Sequence, residues 1–242
     1  MLKNYIKVNH PSLFNLLKNI KYKLNMIYIN FYKYFNNFVL FRRVNYIFNL
    51  SFKKFSVYKY LNKDSIFIDI GANIGLYSLY VNDNFKSQVI CFEPHPDAFK
   101  ILNKRFKNNS KAKIYNKAVS DHDGKEDLYL HQNEGDFNED FSESASLYYE
   151  KFNVDPKKKI EIETVDIKKI IDSFEFIDCI KINAEGVEFK ILPQIIENHK
   201  KIGKVFCAFH DKKISGVDHL YQNIINDLNQ KKLLNKWFYE ME

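Results

Sequence analysis

The stretch IFIDIGANIGLYSLY, residues 66–80, opens as an apolar run, carries a carboxylate at Asp69, crosses Gly71 and Gly75 with Asn73 between them, and resumes as an apolar pattern. This order reads as a buried strand, a tight turn and a helix beginning near Ile74. Two phosphate-binding patterns fail here. GxxxxGKS and GxxxxGKT occur nowhere, and GxGxxG fails because Asn73 stands where the second glycine would be. That glycine lets backbone approach a pyrophosphate. The turn therefore suits a ligand without a pyrophosphate but with a cationic group for Asp69 to attract.

S-adenosylmethionine has those properties: an amino acid head, a sulfonium, a ribose and an adenine. Backbone at Gly71 and Gly75 closes on the methionyl part, and helix N-terminal amides suit its carboxylate. Taken alone, a Gly-Asn-Gly turn is an ordinary βα connection. What sharpens it is VICFEPHPD: Glu93 follows an apolar run 22 residues after Gly71, where an acid accepts both ribose hydroxyls, and Pro94 closes the turn beside the adenine. The next strand ends in NKAVSD, which puts Val119, Ser120 and Asp121 along the path of the adenine ring.

From Ile66 onward strand-like and helix-like runs alternate. The strands are expected at Ile66–Ile70, Gln88–Phe92, Lys113–Val119, Ile177–Ile182 and Lys204–Phe209, with helices after the first, second, fourth and fifth. Alternation of this kind predicts an α/β, Rossmann-like, doubly wound and mostly parallel sheet covered on both faces. Two further alternating runs, Gly124–Gln132 and Lys159–Ile167, flank a polar, acidic loop, Asn133–Ser146, read first as a solvated flap and second as a cover that closes over a bound substrate. The acids of that loop, Glu134, Asp136, Glu139, Asp140 and Glu143, lack the spacing of a calcium loop, and no metal is expected. The end of the chain, LLNKWFYEME, reads as an edge strand.

The 242 residues carry a net charge of +7, and 45% of them are hydrophobic, enough for a core. Residues 1–63 hold twelve Lys/Arg and no Asp or Glu, so the remainder sums to −5. The chain accordingly divides into a basic helical extension, residues 1–55, and a catalytic domain, residues 56–242. Within the extension, His10-Pro11 starts a helix with an apolar stripe from Leu13 to Phe31 and lysines 18, 21 and 23 opposite. Such a helix packs on its own domain or a second subunit, or lies on an anionic membrane. The cysteines Cys91, Cys179 and Cys207 sit in apolar runs without metal spacing and read as reduced thiols of a cytoplasmic protein. No secretory signal or uncharged membrane-spanning segment of roughly 20 residues is found.

Together FIDIGANIGLYSLY, CFEPHPDAFKILNKR, NKAVSDHDG and DCIKINAEGVEFKIL resemble, in order and spacing, the FkbM-type methyltransferases over about Tyr58–His210. The resemblance implies a class I fold and methyl transfer from S-adenosylmethionine to a hydroxyl of a sugar, glycan, glycolipid or other natural product. By the same resemblance SASL, Ser144–Leu147, is a short element after the variable loop. Two positions depart from the pattern. Asn183 replaces an aspartate, and Ala208 stands where a glutamate precedes the histidine by two residues. Each change removes a carboxylate from the sheet's carboxyl edge, although Asn183 still offers hydrogen bonds to the donor.

An alcohol is a poor nucleophile, so a base is expected near the methyl group. The candidates at strand ends are His210, Glu185, Glu188 and, more remotely, His95. His210 leads because imidazole titrates near neutral pH. Lys181, inside an apolar strand, needs a partner to offset burial, expected to be Glu185 or Glu188. Two other classes stay open: a nucleic-acid methyltransferase using the basic segment, against which no RRM, KH, zinc or NPPY signature is present, and a cofactor-binding homologue without catalysis.

Overall fold

The computed structural model describes residues 58–133, 144–210, 213–234 and 237–241, within the unit Val57–Glu242. The expected N-terminal helix and most of the acidic loop lie outside the described residues.

Strands β1 (Ile66–Ile70), β2 (Gln88–Phe92) and β3 (Ala112–Tyr115) alternate with helices α1 (Leu76–Phe85) and α2 (Pro96–Phe106). After them come β4 (Ala118–Ser120), β5 (Gly124–His131), β6 (Val154–Asp166) and α3 (Ile167–Asp172). The chain closes with β7 (Ile177–Ile182), α4 (Glu188–Glu197), β8 (Ile202–Phe209), α5 (Asp218–Gln230) and β9 (Phe238–Met241). The central sheet has the order β3-β2-β1-β7-β8-β9, and every pairing in it is parallel. The fold is therefore α/β, with a doubly wound parallel sheet whose strand order reverses between β1 and β7, the switch point where ligands sit in such sheets.

Continuous apolar strands explain this layering, because a parallel sheet is covered on both faces. One face presents Ile68, Ile70, Ile90, Phe92, Ile180 and Ile182 to a core closed by α3, α4 and α5. The opposite face carries Asp69 and Cys91, tied to α1 through Ser78: the Ser78 hydroxyl donates to Asp69 at 2.6 Å, and the Cys91 thiol donates to Ser78 at 3.0 Å. Helix α2 has Pro96 in its first turn, Asp97 near its start, and Lys104 and Arg105 near its end, an arrangement that suits the helix dipole. All three cysteines are free and buried, and burial pushes their thiols up. No helix among the described residues is long and apolar enough to cross a membrane.

Three expectations change. The single strand Lys113–Val119 is two strands in two sheets, since β4 joins a second sheet of order β4-β6-β5. Asn116 makes the break, its side-chain amide donating to the carbonyls of Glu93 and Pro94 at 2.8 and 3.0 Å. Strand β6 starts at Val154, well before Lys159. It ends at an N-cap, because the Asp166 carboxylate accepts from the Lys168 N–H and starts α3, a helix the alternation had hidden.

Candidate active site

The carboxyl ends of β1, β2, β7 and β8 meet at the switch point. Gly71 (φ +70°) bends the chain out of β1, and its N–H and that of Ala72 both donate to the Phe92 carbonyl. A Cβ on Gly71 would lie 2.1 Å from the Asn183 carbonyl oxygen, so β7 comes too close for any side chain there. Gly75 (φ +82°) is left-handed as well, and its Cβ would lie 2.4 Å from Leu102 of α2. The close packing of α1 on α2 therefore requires a glycine here. Helix α1 starts at Leu76, two residues later than the pattern suggested.

Asp69 is fully buried, and both its oxygens are engaged. One accepts from Ser78; the other lies 2.9 Å from the Lys181 ammonium. The expected partners of Lys181, Glu185 and Glu188, are thus corrected to Asp69. The reason is register: Asp69 and Lys181 are opposite one another in the β1–β7 ladder, with side chains on the same face. Lys181 also donates to the Gly71 carbonyl at 2.8 Å and lies over the Tyr77 ring. The pair therefore fixes the glycine turn from behind. The cationic group that the fully buried Asp69 meets in this structure is Lys181.

Glu93 ends β2 with one carboxylate oxygen accepting from the Asn73 N–H at 2.7 Å and the other from the His95 N–H at 2.8 Å. Asn73 (φ +50°) uses its own side-chain oxygen on the Ile74 N–H. Burial raises the Glu93 carboxyl to about 7, against the lowering effect of these two N–H donors. Each carboxylate oxygen retains accepting capacity for a hydroxyl. Beside Gly71, the Asn183 Oδ1 is buried without a hydrogen-bond partner. Pro94 is half-buried at the rim. Of the residues expected along the adenine, Val119 packs in the main core, and the buried Ser120 hydroxyl donates to Glu126 at 2.5 Å.

At the tips of β7 and β8 a second group assembles. The His210 Nδ1 lies 3.0 Å from Glu188 Oε1, and its Nε2 lies 3.1 Å from Glu185 Oε1, an ion-pair contact without hydrogen-bond alignment. The Glu188 carboxylate also accepts from the N–H groups of Gly186 and His210. Lys151 pairs with Glu185 at 2.7 Å and donates to the Ser144 carbonyl. Ser146 donates to the Glu185 carbonyl at 2.6 Å. His210 is therefore corrected from free base to clamped imidazole, with each ring nitrogen facing a carboxylate. For Glu185, burial pushes the carboxyl up, but His210 and Lys151 together outweigh it and hold the carboxyl below its ordinary value. Lys151 carries no local sequence signal, because it reaches Glu185 from a segment 34 residues away.

The switch point thus brings together a glycine turn, an acid at the second strand tip and a buried amide oxygen without a hydrogen-bond partner. The methyltransferase FkbM domain model matches residues 69–229, and the chain belongs to that family of methyltransferases. Methyltransferase sdnD from Sordaria araneosa is 25% identical over 164 residues, which cover 57% of this chain and 63% of that protein. Among solved structures, TYW2 of Pyrococcus horikoshii in complex with MeSAdo is 28% identical over 27% of this chain and 26% of its own, with a TM-score of 0.26. An rRNA methylase from Streptococcus thermophilus is 16% identical over 27% of this chain and 39% of its own, with a TM-score of 0.24. Overlaps at such TM-scores carry no weight for this chain.

Proposed function

We propose that the chain is an S-adenosylmethionine-dependent O-methyltransferase acting on a hydroxyl of a sugar, glycan, glycolipid or related natural product. The observation that carries the donor half is the Gly71 turn with Glu93 and the unpartnered Asn183 Oδ1 around it. These residues fit the donor: Glu93 accepts the ribose hydroxyls, Asn183 accepts from the ammonium group, and backbone at Gly71 and Asn73 lies against the methionyl part. When bound, S-adenosylmethionine supplies an electrophilic methyl group on a sulfonium.

The acceptor half rests on Glu185. Of the four groups in the network at the tips of β7 and β8, it alone reaches solvent, with 13% of its side chain exposed against 0% for Lys151, Glu188 and His210. Its carboxylate accepts a hydrogen bond from the acceptor hydroxyl and aims the oxygen lone pair at the methyl group. A weak base suffices for the proton, because the oxygen becomes strongly acidic as its new bond forms. The chain spans 63% of the sdnD relative, so the acceptor class draws its support from the family resemblance.

Incubation of the full chain with methyl-labelled S-adenosylmethionine and separate pools of lipid-linked glycan and RNA tests this reading. Label in carbohydrate that resists mild base supports it. Label in RNA, or saturable donor binding without product, refutes it. For the extension at residues 1–55 we propose contact with an anionic membrane surface. Liposome flotation that is unchanged after its removal would contradict that role.

A further inference from the structure

We infer that Lys151 is a positioning residue for Glu185, acting together with a His210 that carries protons on both ring nitrogens. The inference rests on the reading of Glu185 as the group that meets the acceptor. It starts from backbone geometry. Glu185 has φ +56°, a left-handed conformation that costs a residue with a Cβ and persists only where neighbours enforce it. Three neighbours do so. Ser146 ties its carbonyl, Lys151 its Oε2 and His210 its Oε1. Gly186 follows with φ +121°, and a Cβ there would lie 2.6 Å from Ile214 and 2.9 Å from Tyr148. The turn is enclosed on that side as well.

Donor and acceptor accounting fixes the histidine. Carboxylates only accept, and His210 faces one from each nitrogen at 3.0 and 3.1 Å. A neutral imidazole would set a lone pair against one of them inside a buried cluster. With both nitrogens protonated, two carboxylates face two cations, Lys151 and His210, and the buried group is neutral. The other groups around this cluster are Lys213, which opposes the charge on Lys151, and Tyr148, which burial and, to a lesser degree, Glu188 keep protonated. Burial lowers Lys151, and the Glu185 carboxylate opposes that shift.

Lys151 also links the site to the segment after the acidic loop, since its ammonium donates to the Ser144 carbonyl at 2.6 Å and its backbone forms a β-bridge with Ile214. A single side chain thereby orients the acceptor carboxylate and anchors the chain that leaves the loop. A lysine with a purely structural role would affect only stability. A positioning lysine also sets the pH at which Glu185 is ionised and the rate at which a bound acceptor reacts.

The test uses the full chain. Nitrogen-15 histidine spectra, with His210 assigned by its loss in His210→Gln, are expected to show imidazolium shifts at both ring nitrogens at pH 8, well above the ordinary histidine value of about 6.5. Neutral-imidazole shifts at pH 7.5 would overturn the inference. With labelled S-adenosylmethionine and the glycan pool, Lys151→Met is expected to move the acid limb of the rate up by about one pH unit. It should lower kcat at least tenfold and leave the donor KM unchanged, while Lys151→Arg recovers most of kcat. A folded Lys151→Met with an unmoved acid limb would refute it. If Lys151→Met does not fold, the wild-type spectra and the Lys151→Arg rates still decide. Failure of the wild-type chain to bind S-adenosylhomocysteine would instead refute the proposed function and leave the spectra to judge this inference.

Discussion

Replacing Glu93 with glutamine should weaken the donor complex and remove the pH dependence that this carboxyl gives to stability and to binding. Glu93 is 5% exposed, and its carboxyl is raised from 4.5 to about 7 because burial outweighs the two N–H groups that favour its charge. The folded value lies above the unfolded one. The cost of ionising it in the fold is therefore absent below pH 4.5, grows between 4.5 and 7, and is complete above 7. That cost is roughly 3 kcal/mol at about 1.4 kcal/mol per unit. Ribose hydroxyls need the ionised carboxylate as acceptor, so free enzyme must lose this proton on binding at low pH. The Kd of S-adenosylhomocysteine is accordingly expected to fall about tenfold from pH 6 to 8 and to level above pH 8. Titration calorimetry in two buffers of different ionisation enthalpy should register close to one proton released at pH 6 and almost none at pH 8. In Glu93→Gln the affinity should be lower and flat with pH; the glutamine NH2 cannot accept from the N–H it faces, but stability relative to wild type should improve from pH 5 to 8 as the wild-type carboxyl ionises. A wild-type affinity independent of pH, or a stability difference between variant and wild type that does not change from pH 5 to 8, would refute the reasoning.

Gly71→Ala is expected to lower Tm and abolish S-adenosylhomocysteine binding, because the new Cβ meets the Asn183 carbonyl at 2.1 Å; differential scanning fluorimetry with and without ligand checks both. Asp69→Asn and Lys181→Met each leave a buried partner uncompensated and should each cost about 3–5 kcal/mol by chemical denaturation. The double variant should cost less than their sum, as its cycle will show. Asn183→Leu removes a buried oxygen that has no partner, so stability should hold or rise while calorimetric donor affinity drops by about tenfold, the worth of one hydrogen bond to a charged group.

The strands and helices that form the sheet were legible because their apolar runs are long and separated by clear turn residues. Gln88–Phe92 and Ile177–Ile182 have the bounds their sequence suggests. The Glu93 position was legible for the same reason, since it ends such a run. Partners across the sheet were not. Strand order is not written in local sequence, and without it Lys181 was matched to Glu185 and Glu188, its neighbours along the chain, although its ladder partner is Asp69, 112 residues earlier. Lys151 was invisible for a related reason, because a buried lysine in a loop has the same local pattern as a solvated one. The direction in which a carboxylate points is likewise set by packing: Asp69 turns into the sheet toward Ser78 and Lys181, while Glu93 turns toward the glycine turn. The split of residues 112–120 into two sheets hangs on one side chain, Asn116, reaching back to the Glu93 and Pro94 carbonyls.

A crystal structure of the full chain with S-adenosylhomocysteine tests the account most directly. The ligand is expected against the Gly71–Asn73 backbone, with both ribose hydroxyls on the Glu93 carboxylate and its amino group on Asn183 Oδ1, while Asp69 stays bound to Lys181. A ligand lodged elsewhere, or one whose ribose makes no contact with Glu93, would contradict it.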